Sequence, residues 1–457
     1  MKMMNRKPKA RYEMDMTSGA LLPKVLRFSS PLILTGVLQL LYNAADVVVV
    51  GQFAGATALA AVGSTGSLIN LLVNVFMGLS VGASVVIARS YGAGDYHGIQ
   101  DGVHTAITVA AVAGVLVGVA GAIFGRPLLQ LMDSPEDVID EAALYIRIYF
   151  LGMPFNMLYN FGAAILRAVG DTKRPLYYLS VAGVINVALN LLLVIVFHLG
   201  VAGVAIATVV SQAVSMTLVL ICLTRSEGAI HLNWRKLRIH ARKLKEIARV
   251  GLPAGFQGSL FSISNVLIQS AVNSFGSTVV AANAAASNLE GFVYTAMNAF
   301  YQADLTFASQ NLGAKKYARV RRGMWVCLGS VTVVGLVLGL LFLAGGQTLL
   351  RLYNGDPEVL RFGQLRLSII LPTYFICGLM DTMVGQLRGI GYSIMPMIVS
   401  LTGACLLRIV WVMTVFAADH TLNTLYISYP ISWLATFLVH MACYLVVARK
   451  LPRQDQA

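Results

Sequence analysis

Along this chain, apolar residues run unbroken for about the length of a membrane-crossing helix, give way to short polar connections, and resume. Twelve such runs fall near residues 29–51, 59–89, 103–124, 143–167, 176–198, 201–223, 250–274, 279–309, 323–344, 365–388, 396–417 and 424–448. At 1.5 Å per residue, about 20 apolar residues cross the ~30 Å hydrocarbon layer of a bilayer. The pattern therefore predicts an all-α integral membrane protein of about twelve transmembrane helices. Its longest polar stretch, Thr224 to Arg249, separates six runs from six. The expected organisation is a cytoplasmic N-terminal segment over 1–28, an N-lobe over 29–223, a basic cytoplasmic linker over 224–249, a C-lobe over 250–448 and a cytoplasmic tail over 449–457.

The two halves repeat at an offset of about 221 residues, the kind of internal symmetry that transporter folds carry. Pro31 and Asn43 correspond to Pro253 and Asn265, and Leu166-Arg167, Gly170 and Pro175 correspond to Leu387-Arg388, Gly391 and Pro396. The turn beginning at Ser90, with Gly92-Ala-Gly94 and Tyr96, corresponds to the one beginning at Asn311, with Gly313-Ala-Lys315 and Tyr317. The outer loop at Asp133 to Glu136 corresponds to that at Gly355 to Glu358. With an even number of spans in each repeat, both begin on the same side of the membrane, and two pseudo-symmetric six-helix lobes are expected to face a central cavity.

Composition agrees with a lipid environment: 57% of the residues are hydrophobic and 12% charged, against roughly 25% charged in soluble chains. Mean hydropathy is +0.73. A net charge of +14 raises nucleic acid as a partner, but the basic residues sit between the apolar runs. With alternate connections cytoplasmic, about 28 Lys and Arg lie inside and about 5 outside, as the positive-inside rule requires. The inside set includes Lys2, Arg6, Lys7, Lys9, Arg11 and Arg453; the outside set is Arg126, Arg147, Arg351, Arg361 and Arg366. Both termini are thus expected on the cytoplasmic side, with no nucleic-acid partner. The five cysteines, Cys222, Cys327, Cys377, Cys405 and Cys443, lie in or beside apolar runs without metal-like spacing and read as packing residues.

A charge at mid-bilayer costs roughly 2.5–3.5 kcal/mol on insertion scales, so each one needs a reason. Asp46 has no basic residue in its own span and must find a cation or a proton. In the same half, Asn186 and Asn190 stand one turn apart on one helix face, and Thr208 adds a hydroxyl from the sixth span. Such oxygens suit a hard monovalent cation, which makes Asp46 with Asn190 a candidate Na⁺ site, and a single proton would equally neutralise Asp46. In the second half, Glu290 and Asp381 are candidate cavity acids, and Asp381 is a candidate ion-pair partner for Arg408. Asp304 is placed at the periphery, near the inner end of its span. His440 reads as a packed, hydrogen-bonded histidine.

The stretch Asn43-Ala-Ala-Asp46 with Gly51 and Ala60-Ala61, the loop from Leu166-Arg167 through Gly170-Asp171 to Pro175, and the run from Val201 to Thr208 resemble motifs of the bacterial multidrug and toxic compound extrusion (MATE) transporters. The resemblance covers about residues 20–450 and both halves. It implies antiport, in which an inward H⁺ or Na⁺ gradient drives small organic cations outward by alternating access of two lobes. It further implies that Asp46 is the N-lobe coupling acid, with Asn186, Asn190 and Thr208 beside it, and that Asp381 loosely matches a C-lobe acid. The chain departs from the family at Asn190, where several members carry a second acid. The expected partners are small organic substrates and the lipid bilayer, the expected location is the bacterial cytoplasmic membrane, and the expected state is a monomer without cofactor other than the coupling ion.

The alternative within the same superfamily is a flippase or exporter of a lipid-linked precursor or polar metabolite. A pyrophosphate-bearing substrate calls for several cations at depth, and the sequence supplies Arg408. A membrane-embedded enzyme would need a catalytic motif such as His-Glu-x-x-His, which the sequence does not contain.

Overall fold

The structure, a computed structural model, describes residues 12–131, 136–452 and 455. Lys2, Arg6, Lys7, Lys9, Arg11 and Arg453, which entered the charge argument above, and Asp133, which entered the repeat, lie outside the described residues. The helices are α1 (Leu21–Val49), α2 (Ala56–Gly92), α3 (Tyr96–Leu131), α4 (Glu136–Leu151), α5 (Met153–Ala168), α6 (Lys173–Asn190), α7 (Gly200–Arg225), α8 (Ala241–Asn273), α9 (Ser277–Gly313), α10 (Tyr317–Ala344), α11 (Gly346–Arg351), α12 (Pro357–Ile370), α13 (Tyr374–Gly389), α14 (Ile394–Ser400), α15 (Leu407–Trp411) and α16 (Leu422–Ala448). Wider π-turns extend α1 over Val50–Ala54 and α6 over Leu191–Val196, and flank α15 at Leu401–Leu406 and Val412–Phe416.

Among the described residues, nine helical stretches are long and apolar enough to cross a membrane on composition alone. The pair α4–α5, broken at Gly152 just before Pro154, and the more polar α8 and α9 complete twelve. Each falls on one of the apolar runs in the sequence. The helices extend past those runs where the hydrogen-bond ladder continues into polar residues: α8 begins at Ala241, and its first turns carry Arg242, Lys243, Lys245 and Glu246. Arg126, Arg147, Arg351, Arg361 and Arg366, assigned above to the outside connections, all stand in helices; Arg126 pairs with Asp140 at 2.8 Å.

The repeat is written into the backbone. Gly55 and Gly276 open α2 and α9 with φ of 94° and 93°, Gly94 and Lys315 share left-handed φ of 67° and 56°, and Gly170 and Gly391 have φ of 86° and 100°. Each pair is separated by the same 221 positions, so the two halves make the same turns at the same places. Two compact units result: one comprises residues up to Asp15 with Leu38–Gly255, the other Met16–Val37 with Phe256–Ala457. Both boundaries run through long helices, within α1 and α8, a few residues past Pro31 and Pro253.

Unit 1 is centred on α2, α3, α5 and α7, with fully buried Ile87, Ile107, Phe150, Phe161 and Leu166. The basic linker lies against it: the Asn233 amide donates to His104 Nε2 and the His240 amide to Thr105 Oγ1, each at 3.1 Å. Asp171 closes the α5–α6 turn, accepting from the Lys173 and Arg174 amides at 3.1 Å and pairing with the Arg174 guanidinium. Unit 2 packs α9, α10, α12, α13 and α16 around Phe300, Phe307, Met297 and Leu371. The segment entering α1 is tied to it: the Gln310 side chain accepts from the Met16 amide at 3.1 Å, and Arg319 donates to the Met16, Ser18 and Gly19 carbonyls at 2.7–2.9 Å.

Candidate functional site

In unit 1, α1 and α6 meet along one short seam. Tyr42 and Asp46 are one turn apart on α1; Gly183, Asn186 and Asn190 recur at helical spacing on one face of α6. Gly183 is there because the Tyr42 ring lies where its Cβ would be, and the Tyr42 hydroxyl reaches toward the Ser180 carbonyl at 3.4 Å. That close approach brings the next turns together: Asn190 Nδ2 donates to Asp46 Oδ1 in a short hydrogen bond and faces Asn186 Oδ1 at 3.3 Å. Asp46 is half-buried, Asn186 and Asn190 are buried, and no basic side chain among the described residues neighbours the carboxylate. Asn190 Oδ1 is buried without a hydrogen-bond partner.

Both helices change to π geometry directly beyond this point, at Val50 and Leu191, and the two π segments touch. π-turns recur at functional sites because they re-aim side chains within a continuous helix. Hydropathy does not distinguish a π from an α turn, so the sequence carried no signal for them. Thr208, expected beside Asp46, donates its hydroxyl to Val204 O of its own helix at 3.0 Å. The structure thus joins Asp46 to Asn190 and Asn190 to Asn186, and leaves Thr208 on α7, whose helix packs against the Val50–Ala54 turn. Gly183→Val tests the seam. Forcing the Tyr42 ring aside should destabilise the fold by about 1–3 kcal/mol and separate Asn190 from Asp46, read as a lowered unfolding temperature in detergent together with weakened transport.

In unit 2 the candidate residues are arranged differently from the expectation. Glu290 is no open cavity acid: its carboxylate accepts from Arg366 Nε at 2.7 Å and Nη2 at 2.8 Å, a buried bidentate pair. Arg366 Nη1 also donates to Asn283 Oδ1 at 2.6 Å, and the guanidinium lies 5.2 Å and 5.4 Å from the ring centres of Tyr426 and Tyr429. Nor do Asp381 and Arg408 pair. Asp381 is bonded to the Tyr294 hydroxyl, whereas Arg408 Nε donates to Ser432 Oγ at 2.7 Å and its guanidinium sits 4.5 Å over Tyr429 and 5.6 Å over Trp433. Aromatic rings fill the space between the two: Tyr294 stacks on Tyr374, which contacts Trp433. Asp304, placed at the periphery from sequence, is fully buried. His440 is buried and faces Ser400 Oγ at 3.1 Å, as a packed histidine should. Among the described residues, no cluster of His, Cys, Asp or Glu is placed to hold a metal ion.

Two repeated six-helix units, with an acid and paired asparagines inside one of them, define a membrane transporter of internal-repeat type. The MatE family profile matches once in each half, at residues 31–192 and 253–414, and the chain belongs to that family. It is 31% identical over 381 residues, 82% of either chain, to the Bacillus subtilis protein described as probable multidrug resistance protein YoeA. It is 25% identical over 430 residues, 91% of this chain and 92% of the other, to the FAD transporter of Shewanella oneidensis. Among solved structures, an outward-facing multidrug resistance MATE family transporter of the MOP superfamily superposes with a TM-score of 0.91, over 97% of this chain and 99% of that one. At 20% sequence identity this is a likeness of fold.

Proposed function

We propose that the protein is a proton-coupled antiporter that exports small, cationic amphipathic organic compounds by alternating access of its two halves, with Asp46 as the coupling residue. One observation carries the coupling: Asp46 is an acid inside a membrane span whose hydrogen-bond partner is Asn190 and which has no basic neighbour among the described residues. A proton neutralises it without rearrangement. Na⁺ would need neutral oxygens in place of its water, yet Asn190 presents its amide nitrogen to the carboxylate and Thr208 is bonded within its own helix. The substrate class is supported by the multidrug resistance relatives and by the low charge of the spans.

The test is dye efflux from proteoliposomes with H⁺ and Na⁺ gradients imposed separately. Wild-type efflux should follow the H⁺ gradient without Na⁺. Asn190→Asp places a second carboxylate beside the first, and mutual repulsion makes the pair hold its first proton more tightly. The loaded form then persists to higher pH, and the transport optimum should move in the alkaline direction. Efflux that needs Na⁺ at every pH, with an unchanged profile in Asn190→Asp, would establish Na⁺ coupling instead.

A second reading rests on Arg408. A buried guanidinium stacked over Tyr429 and Trp433, without an acid partner among the described residues, suits a planar aromatic substrate bearing negative charge, and the FAD transporter is among the relatives. Liposomes loaded with a flavin nucleotide distinguish the two: gradient-driven flavin efflux without dye efflux would favour the polar-metabolite reading.

A further inference from the structure

Unit 2 holds an acid that neither the coupling site nor the ion pairs account for. Asp304, on α9, is 0% exposed, and neither carboxylate oxygen has a hydrogen bond of acceptable geometry. Three neighbouring helices turn polar groups toward the same region. The Cys327 thiol of α10 is beside the carboxyl, and the Tyr444 hydroxyl of α16 is within its electrostatic reach and against the Gln386 amide of α13. Gln386 is also 0% exposed, and its amide and the Tyr444 hydroxyl lie against each other with no well-formed hydrogen bond to any further group. Buried polar groups are nearly always bonded, so a cluster with this many open donors and acceptors calls for an explanation beyond packing.

The neighbouring charges do not neutralise Asp304. Arg388, also on α13, donates to the Tyr301 hydroxyl and Gln257 Oε1, each at 2.8 Å. Arg321 on α10 acts on Tyr444 rather than on the acid, and His440 on α16 faces Ser400. A bare carboxylate in this interior is far too costly to persist, so it is neutralised by a bound proton or by a cation. A thiol is a poor ligand for a hard alkali ion, which leaves the proton. Access is short: Gln386 and Tyr444 stand three and four residues from the ends of α13 and α16, about 5–6 Å at 1.5 Å per residue.

We propose that Asp304, with Cys327, Gln386 and Tyr444 around it, forms a second proton-binding site in unit 2, exchanging one proton with water at the end of the unit where α9, α13 and α16 finish. The transfer runs from water to the carboxylate and back, and no redox change is involved. The site exists independently of coupling at Asp46; only its use in transport rests on the antiport reading. Within the cluster, the Gln386 amide and Tyr444 hydroxyl can accept from the protonated acid or donate to the carboxylate, so one set of groups serves both forms.

Acid-minus-alkaline infrared difference spectra of the full-length protein in lipid read this directly, and no substrate is required. Wild type should show a protonated-carboxyl carbonyl band that is lost in Asp304→Asn and kept in Asp46→Asn. The Cys327 S–H band, assigned by its loss in Cys327→Ala, should shift as Asp304 titrates. Asp304→Asn removes only charge; if it fails to fold, the S–H shift in the wild-type protein still decides. A spectrum unchanged by Asp304→Asn, or a Cys327 band that stays fixed across the pH range of the folded protein, overturns the proposal. Failure of wild-type dye efflux alongside an intact Asp304 band would sink the antiport reading and leave this site standing.

Discussion

Replacing Asp46 with Asn should reduce gradient-driven efflux in proteoliposomes to the level of protein-free vesicles, while substrate-for-substrate exchange survives. The substitution keeps size and hydrogen-bonding capacity and removes the ionisable group. Asn190 retains an acceptor at the same position, so the α1–α6 seam, fixed by Tyr42 against Gly183, remains closed and the protein inserts and folds. What is lost is the difference between a loaded and an unloaded state. An ion gradient biases a two-state equilibrium only through differential binding to the two states, and a side chain that is always neutral offers the proton none. Exchange of substrate on the two faces needs no ion and is the internal control. Gradient-driven efflux at the wild-type rate, at matched protein levels, would remove Asp46 from the coupling role; loss of both efflux and exchange would point to damaged folding instead.

The parts of this site that the sequence made visible are those with a strong physical signature in one dimension. Twelve apolar runs forecast twelve spans because lipid leaves the backbone no alternative to helix, and an acid in the first span stands out against apolar neighbours. The i, i+4 spacing of Asn186 and Asn190 places both on one face of α6 without any structure. Pairing across helices is another matter. Glu290 and Arg366 are separated by 76 positions, and the count of basic residues on the two sides puts Arg366 outside although it stands at the start of the run 365–388 and within α12. The expected pair of Asp381 with Arg408 fails for a like reason, since nothing in one dimension shows that Tyr294, Tyr374 and Trp433 stand between them. The peripheral placement of Asp304 rests on its position near a helix end, which suggested water, whereas α10, α13 and α16 enclose it. Distance along a helix gives depth, and only the neighbouring helices determine enclosure.

The Glu290–Arg366 pair should prove the most fragile contact in unit 2 when one partner is removed, and dispensable when both are. Both side chains are almost completely buried, the contact is bidentate, and Asn283 and the faces of Tyr426 and Tyr429 complete the guanidinium's surroundings. Removing charge from such a pair on one side leaves the other unpaired where water cannot reach it, at a cost of about 3–5 kcal/mol. Glu290→Leu should therefore lower the unfolding temperature sharply, and Arg366→Met more so, since the Asn283 oxygen then loses its donor as well. The double substitution Glu290→Leu with Arg366→Met fills similar volume without charge and should recover most of the loss, because the desolvation of two ions offsets much of their attraction. A thermal-unfolding cycle over the four proteins in lipid nanodiscs measures the coupling. A coupling energy near zero, with the two single substitutions mild and additive, would show that this pair is not the electrostatic anchor of α9 against α12 that its geometry indicates.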